Sequence, residues 1–171
     1  MKGPIVLVGL MGSGKTSVGR ALARALGWPQ VDLDAALEQR FGLSVAQQFE
    51  RLGEVEFRRR EAAELARCLR PGRVLSTGGG VVLQARNRRR LKACLTIYLQ
   101  ASPLALAGRL KGPQAGKRPL LKGKSPLQVL ARLSRQRSPL YRAVASATVL
   151  ASKGDAEAVA GRVLKRCKEL C

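Results

Sequence analysis

Residues 9–16 are Gly-Leu-Met-Gly-Ser-Gly-Lys-Thr, and this stretch decides the fold of the chain. Its pattern, G-x-x-x-x-G-K-[ST], is that of a P-loop, and it stands between an apolar run at 5–8 and a segment with helical spacing at 18–26. The glycines allow a tight turn and a close approach of the backbone to a ligand. Loop N–H groups and the N-terminus of the next helix then bind phosphate oxygens. The stretch therefore predicts binding of a nucleoside triphosphate.

The side chains of this loop have separate predicted roles. We expect Lys15 to contact the β- and γ-phosphates and the Thr16 hydroxyl to bind Mg²⁺. Lys15 is also a candidate catalytic residue, because its charge would stabilise the group in transfer. The predicted ATP-binding residues of this region are Gly12, Ser13, Gly14, Lys15, Thr16 and Ser17.

The composition is that of a globular protein. The chain has 171 residues, 46% hydrophobic and 25% charged, so we expect one domain, 1–171, with one buried core. The first apolar run is too short to span a membrane and lacks a small-residue cleavage site, which predicts a cytoplasmic protein without a membrane partner. The absence of C-x-x-C spacing and of histidine favours free thiols over a zinc site at the four cysteines, which are Cys68, Cys94, Cys167 and Cys171.

The net charge is +21, from 32 Lys and Arg against 11 Asp and Glu. Such a charge attracts any polyanion, so a nucleic-acid-binding NTPase stays an alternative. Aromatic residues make up only 4% of the chain, which leaves few side chains to stack on bases, and the basic residues are spread along it. We interpret most of the charge as solvated surface, with a subset serving anionic substrates and with no specific nucleic-acid partner.

Strand-like and helix-like segments alternate through the chain, which predicts an α/β fold with a parallel sheet between two layers of helices. Predicted strands lie at 4–9, 30–34, 73–76, 95–99 and 147–150. Predicted helices lie at 15–26, 34–41, 44–51, 54–69, 84–92, from 103 onward, 125–142 and 155–170. Residues 111–124 are rich in Gly, Pro and Lys without a regular pattern, which predicts a mobile lid.

Two carboxylates, Asp32 and Asp34, lie at the expected carboxyl end of the second strand, where open α/β sheets bind ligands. One would hold the waters around Mg²⁺, and the other would orient or deprotonate an acceptor hydroxyl. Whether Asp34 acts as a base or only aims the hydroxyl stays open. The alternative is that Asp34 caps the next helix, a position that favours Asp on ordinary grounds.

The triple glycine 78–80 follows the third strand and would let a substrate rest on backbone N–H groups, although a simple loop is the alternative. Arg58 could bind a carboxylate or hydroxyl groups, and Glu61 could hold Arg58 across one helical turn. We expect the neighbouring arginines at 59 and 60 to be solvated. Arg118 lies in the predicted lid, and Arg137 lies on the helix after it. Composition alone does not select the functional arginines in so basic a chain.

Together these motifs resemble those of the shikimate kinase family, in the family's order and at near-family spacing. The matching stretches are GLMGSGKTSVGRALA (9–23), DLD (32–34), GEVEFRRRE (53–61), STGGGVV (76–82), RPLL (118–121) and RSPLYRAVA (137–145). The family also has no acidic residue at the end of its third strand, and this chain agrees there. The +21 charge and the variable segment 45–49 depart from expectation but touch no motif residue.

The resemblance implies a P-loop kinase fold with a five-stranded parallel sheet, three α/β/α layers and a mobile lid at 111–124. It implies transfer of the γ-phosphoryl group of ATP to the 3-hydroxyl of shikimate, with Mg²⁺ as cofactor. ATP and shikimate are the expected partners, and a monomer is expected. The competing interpretation is a kinase of another small hydroxy acid, such as gluconate.

The resemblance also implies residue roles. The expected shikimate-binding residues are Asp34, Arg58, Gly78, Gly79, Gly80 and Arg137. Arg109 would stack on adenine, and Arg118 would arrive with the lid to contact the transferring phosphoryl group. Thr16 would bind Mg²⁺, with Asp32 reaching it through water. The expected catalytic residues are Lys15, Asp34 and Arg118.

Overall fold

The structure, a computed structural model, describes residues 3–110 and 125–170. Its five strands are β1 (Ile5–Val8), β2 (Gln30–Asp32), β3 (Val74–Ser76), β4 (Leu95–Gln100) and β5 (Ala147–Leu150). They form one parallel sheet in the order β2-β3-β1-β4-β5, as the sequence predicts. The predicted lid and Arg118 lie outside the described residues.

Seven α-helices connect and cover the strands in the described part of the chain. They are α1 (Lys15–Leu26), α2 (Leu33–Phe41), α3 (Val45–Cys68), α4 (Ala85–Lys92), α5 (Pro103–Arg109), α6 (Pro126–Val144) and α7 (Ala156–Glu169). A short 3₁₀ turn, Val81–Leu83, follows β3. None of these helices has the length and apolarity needed to cross a membrane.

The central strand β1 shows why helices lie on both faces. All four of its residues are fully buried, and their side chains alternate between the two faces of the sheet. Val6 and Val8 pack with apolar residues of α2 to α6, whereas Ile5 and Leu7 pack with those of α1 and α7. A strand buried on both faces is typical of parallel sheets. The predicted three-layer α/β/α architecture is therefore confirmed.

Local signals in the sequence account for several helix ends. Gly27 ends α1 in the left-handed conformation, with φ of 64°. Ser44 begins α3 with a capping box to Gln47, and Ser102 caps α5 ahead of Pro103. These residue types are the ones that favour helix ends.

Helix α3 joins two segments that the sequence predicts as separate helices. Gly53 interrupts it with φ of 75° and ψ of 167°, which is not a helical conformation. Only glycine adopts such a backbone geometry readily, because a Cβ would be strained there. The sequence predicts a break between two helices here, and the structure has a kink at Gly53 within α3.

The second strand ends earlier than predicted, and this changes the role of its two aspartates. β2 stops at Asp32, and Asp34 lies in the first turn of α2. Asp32 caps α2 by accepting hydrogen bonds from the N–H groups of Asp34 and Ala35. The prediction that Asp34 could be the helix cap is wrong, because the strand-to-helix switch occurs two residues earlier.

The register of the sheet brings three connections to one edge. Leu7 of β1 and Asp32 of β2 both pair with Ser76 of β3. These strands therefore end level with one another. The segments that follow them, beginning at Gly9, Leu33 and Thr77, all start at the same edge of the sheet.

Candidate active site

The P-loop, residues 9–16, connects β1 to α1, and its glycines are required by its shape. Gly9, Gly12 and Gly14 have φ of 150°, 79° and 87°. A Cβ added to Gly9 would lie 2.7 Å from the carbonyl oxygen of Leu99 on the neighbouring strand. Gly14 caps α1, so the first N–H groups of that helix join the loop amides. Together they form a surface suited to phosphate oxygens.

Lys15 is buried within this loop. Its ammonium donates hydrogen bonds to the carbonyl oxygens of Gly9 and Leu10, at 2.9 and 2.8 Å. Ser13 is buried beside it, whereas Ser17 is exposed on the first turn of α1. Lys15 therefore places a positive charge inside the curve of the loop and also stabilises the loop's own backbone.

Thr16 and Asp32 meet at the start of α1. The Thr16 hydroxyl donates a 2.7 Å hydrogen bond to Asp32 Oδ2, and the other carboxylate oxygen caps α2. A single carboxylate thus ties the phosphate-binding helix to the helix that carries Asp34. The predicted proximity of Thr16 and Asp32 is present in the structure.

The triple glycine brings Asp34 and Arg58 to the P-loop side of the sheet. A Cβ added to Gly78 would lie 2.8 Å from Asp34 Oδ1, and one added to Gly80 would overlap the Arg58 guanidinium. A Cβ on Gly79 would lie 3.5 Å from the backbone of residues 9 and 11. Glycine at positions 78 and 80 therefore leaves room for the two charged side chains, while Gly79 lies in ordinary contact distance of the P-loop backbone.

Arg58 is a buried cation with two carboxylate partners on its own helix. Its Nη1 donates to both oxygens of Glu61 at 3.0 and 2.9 Å, and its Nε donates to Glu54 at 3.3 Å. The guanidinium also lies 5.3 Å from the ring centroids of Phe49 and Phe57. These contacts hold Arg58 in one orientation, as the sequence predicted for the Glu61 contact.

Glu61 is almost fully buried, and burial raises the pKa of its carboxyl group above the usual value. The positive charge of Arg58 opposes that shift, and the negative charge of Asp34 adds to it. The pKa of Glu61 therefore depends on the charges of both Arg58 and Asp34.

The neighbouring arginines behave differently from one another. Arg59 is exposed and pairs with Glu56, as predicted for a solvated side chain. The prediction for Arg60 is wrong, because its side chain is mostly buried and lies 4.2 Å from the ring centroid of Phe41. The nearby aromatic ring gives the aliphatic stem and guanidinium a packing surface that sequence spacing did not reveal.

Arg137 reaches the same cluster from α6. It is buried, and its Nη1 donates a 3.1 Å hydrogen bond to the carbonyl oxygen of Gly79. Tyr141, one turn later on α6, donates its hydroxyl proton to the same oxygen. The structure thus brings Asp34, Arg58 and Arg137 around the triple glycine.

Arg109, at the end of α5, lies on the other side of the P-loop. Its guanidinium donates to the carbonyl oxygens of Gly12 at 3.3 Å and of Ala151 at 2.5 Å. It therefore links the loop to the segment after β5, with its side chain at the surface. Within the described ranges, the predicted site residues form two groups, one at the P-loop and one around the triple glycine.

The sequence predictions missed three contributors to this site. They are Glu54, Phe49 and Tyr141, which contact Arg58 or Gly79. The i,i+4 spacing of Glu54 with Arg58 and of Arg137 with Tyr141 was a usable signal, because such pairs share a helix face. Phe49 carried no such signal, since the kink at Gly53 separates it from Arg58.

Comparison with known proteins adds independent information. The family model for shikimate kinase matches residues 11–168. The shikimate kinase of Symbiobacterium thermophilum is 42% identical over 167 residues, covering 96% of each chain. That of Paracidovorax citrulli is 45% identical over 161 residues, covering 90% of this chain and 87% of the relative.

Solved structures give the same result. A shikimate kinase from Acinetobacter baumannii in complex with shikimate superposes with a TM-score of 0.93 and 39% identity, covering 98% of this chain and 93% of the other. A gluconokinase from Sinorhizobium meliloti has a TM-score of 0.58 and 21% identity, covering 98% and 93%. The second likeness concerns the fold alone.

Proposed function

The chain belongs to the shikimate kinase family, and from this premise we infer that its two groups of site residues divide the binding of ATP and shikimate. The chain is an ATP-dependent shikimate kinase. We assign the acceptor oxygen to the 3-hydroxyl, so the products are shikimate 3-phosphate and ADP. The gluconate alternative is not supported, because the gluconokinase likeness extends only to the fold.

One observation carries the assignment of the acceptor side. Two buried arginines, Arg58 and Arg137, and one carboxylate, Asp34, surround a glycine segment that also touches the P-loop backbone. Guanidinium groups bind carboxylates with strong, directional hydrogen bonds. We propose that Arg58 and Arg137 bind the shikimate carboxylate, while Asp34 and the N–H groups of 78–80 orient its hydroxyls.

We propose that the nucleotide side consists of the P-loop and Arg109. The amides of Gly12 to Thr16 would surround the phosphates, and Lys15 would contact the β- and γ-phosphoryl oxygens. Arg109 would stack on adenine, since it lies between the P-loop and the segment after β5. Ser17 would lie at the rim of this site.

The residues present suit Mg²⁺. Thr16 and Asp32 supply oxygen donors, which this ion prefers, at the N-terminus of α1. Within residues 3–110 and 125–170, no three acidic, Cys or His side chains form a metal centre on their own. Thr16 would bind the ion together with phosphate oxygens, and Asp32 would hold its waters. When bound, Mg²⁺ neutralises charge on the β- and γ-phosphoryl oxygens.

The chemistry then requires mainly positioning and charge neutralisation. Asp34 would accept a hydrogen bond from the 3-hydroxyl and hold that oxygen in line with the γ-phosphorus. Lys15 would stabilise the charge that develops on the transferring group. Arg118, in the predicted lid, is proposed to add a second positive charge there.

We further propose that the enzyme acts as a monomer in the cytoplasm. Cys68 and Cys94 are free thiols, which suits a reducing compartment. ATP is the phosphoryl donor of the reaction, and this compartment supplies it.

Coupled ATP turnover tests the proposal directly. Turnover should require shikimate and Mg²⁺, should be negligible with gluconate, and should not respond to added nucleic acid. Product analysis by ³¹P NMR should place the phosphoryl group on the 3-oxygen. Turnover with gluconate at a comparable kcat/KM, or phosphorylation at another hydroxyl, would contradict the assignment. The Lys15→Ala variant, purified in parallel, controls for contaminating kinases.

A further inference from the structure

Tyr141 is the only tyrosine of the described residues whose hydroxyl contacts the triple glycine. The side chain is fully buried on α6, and its O–H donates to the carbonyl oxygen of Gly79. Arg137 donates to the same oxygen from one helical turn earlier. Two donors on one face of α6 thus converge on a single peptide group.

That peptide group also contains the N–H of Gly80. A trans peptide is planar, so its C=O and N–H point in opposite directions, and the described chain has no cis peptide bonds. Three successive glycines have more backbone freedom than any other tripeptide. Holding the Gly79 oxygen from α6 therefore fixes the direction of the Gly80 N–H, on the opposite side of the peptide.

The ring of Tyr141 is held by packing against a second tyrosine. Its ring stacks on that of Tyr98, with centroids 5.1 Å apart and an interplanar angle of 28°. The Tyr98 hydroxyl shares a 3.1 Å hydrogen bond with Ser138 on α6. Burial also raises the pKa of the Tyr141 phenol, so the group stays a proton donor across the working pH range.

We propose that Tyr141 is a positioning residue for shikimate: it holds the Gly79–Gly80 peptide so that the Gly80 N–H points into the acceptor site. This inference rests on the proposed function for the identity of the ligand. Tyr141 itself acts through Gly79 and does not touch the substrate. The Arg137 guanidinium shares the same anchor, so loss of the phenol hydroxyl would also loosen that arginine.

The test replaces only the hydroxyl. Tyr141→Phe keeps the ring stack and removes one hydrogen bond, so we expect KM for shikimate to rise about three- to tenfold while KM for ATP stays within about twofold. The backbone amide signals of 78–80 in ¹H–¹⁵N NMR spectra of the ligand-free protein should shift or broaden. Thermal unfolding identifies any general loss of stability.

Tyr98→Phe is the matched control, because it removes the other hydroxyl of the same ring stack. It should change thermal stability comparably and leave both KM values and the glycine amide signals unchanged. Equal effects of the two variants on KM for shikimate would overturn the proposal, as would an unchanged KM and unchanged glycine signals in Tyr141→Phe. Failure of the proposed function would instead appear as wild-type protein without shikimate-dependent turnover.

Discussion

Arg58 and Glu61 form a buried ion pair across one turn of α3, with 2.9 Å between Arg58 Nη1 and Glu61 Oε2. Removing one member of such a pair leaves the other charge uncompensated away from water. Glu61 therefore does more than support the fold, because it holds the guanidinium proposed to bind the shikimate carboxylate.

The first prediction concerns the pH dependence of stability. The folded protein holds the Glu61 proton more tightly than the unfolded chain, because burial raises the pKa above the ordinary 4.5. The contribution of this group to the free energy of unfolding is thus fully present below pH 4.5 and is lost as pH rises through the folded pKa. Glu61→Gln should remove that loss. Unfolding in urea from pH 4 to 8 measures it.

Glu56→Gln provides a control, because the pKa of Glu56 is shifted in the opposite direction from that of Glu61. Hydrogen bonds from Arg59 and Arg60 lower the pKa of Glu56 to about 2. The contribution of Glu56 to the free energy of unfolding is therefore present above pH 4.5 and is lost as the pH falls through about 2. From pH 5 to 8 this variant should therefore parallel the wild type. Parallel curves for Glu61→Gln and wild type over the same range would contradict the role given to Glu61.

The second prediction is that Lys15→Ala lowers kcat by a factor on the order of 10² to 10³, as expected for loss of a group that stabilises transition-state charge. Because Lys15 also donates to the carbonyls of Gly9 and Leu10, we expect a modest loss of thermal stability with the fold retained. Circular dichroism checks the fold, and the exposed Arg20 on α1 supplies the control Arg20→Ala. A near wild-type kcat for Lys15→Ala would contradict the P-loop assignment.

The third prediction separates two arginines of α6. Arg137→Ala should raise KM for shikimate far more than KM for ATP, because losing one charge-assisted interaction costs about 2–3 kcal/mol. Arg142 is exposed one turn and a residue further on, so Arg142→Ala should change neither constant appreciably. Steady-state kinetics with each substrate varied in turn gives both KM values for each variant. Equal effects of Arg137→Ala on both substrates would show that it is not a shikimate ligand.

The fourth prediction concerns Arg118 in the predicted lid. If it contacts the transferring phosphoryl group, Arg118→Ala should lower kcat more than it weakens shikimate binding. Amide hydrogen exchange across 111–124 should also slow when ADP and shikimate are added. Full protection of this segment in the free protein would contradict the lid hypothesis, and Lys117→Ala serves as the neighbouring charge control.

The fifth prediction addresses the net charge of +21. Solvated basic surface should bind DNA or RNA weakly and without sequence preference, and the affinity should fall steeply as salt rises. Shikimate-dependent turnover near physiological salt should not change when nucleic acid is added. Fluorescence anisotropy over a salt series measures the binding. Tight, salt-resistant binding to one sequence would require a second function.

Much of the nucleotide side could be predicted from sequence, because its requirements are local. A loop that needs positive φ at Gly12 and Gly14 must carry glycine there, and alternation of strands and helices determines the sheet edge on which it lies. The acceptor side depends on tertiary packing. Arg58 and Arg60 both turn inward because aromatic rings and carboxylates of α2 and α3 surround them, and sequence spacing does not show that packing.

The two aspartates at the junction of β2 and α2 also show that local sequence does not determine features that depend on tertiary packing. Asp32 and Asp34 are two residues apart, and the sequence predicts both at the end of one strand. The earlier end of β2 made Asp32 the helix cap and left Asp34 on α2. Strand ends shift by such distances when a side chain can satisfy the first helical N–H groups, and that competition depends on neighbouring elements.

The kink at Gly53 gives protein engineers a natural crossover point. Residues 45–52 precede it and contribute Phe49, whereas the helix after it carries Arg58 and Glu61. Libraries or exchanges between relatives that join at this glycine can vary Phe49 while Arg58 keeps its carboxylate partners. Selection for altered acceptors should therefore find tolerated diversity before Gly53, and replacement of the glycine itself should be rejected.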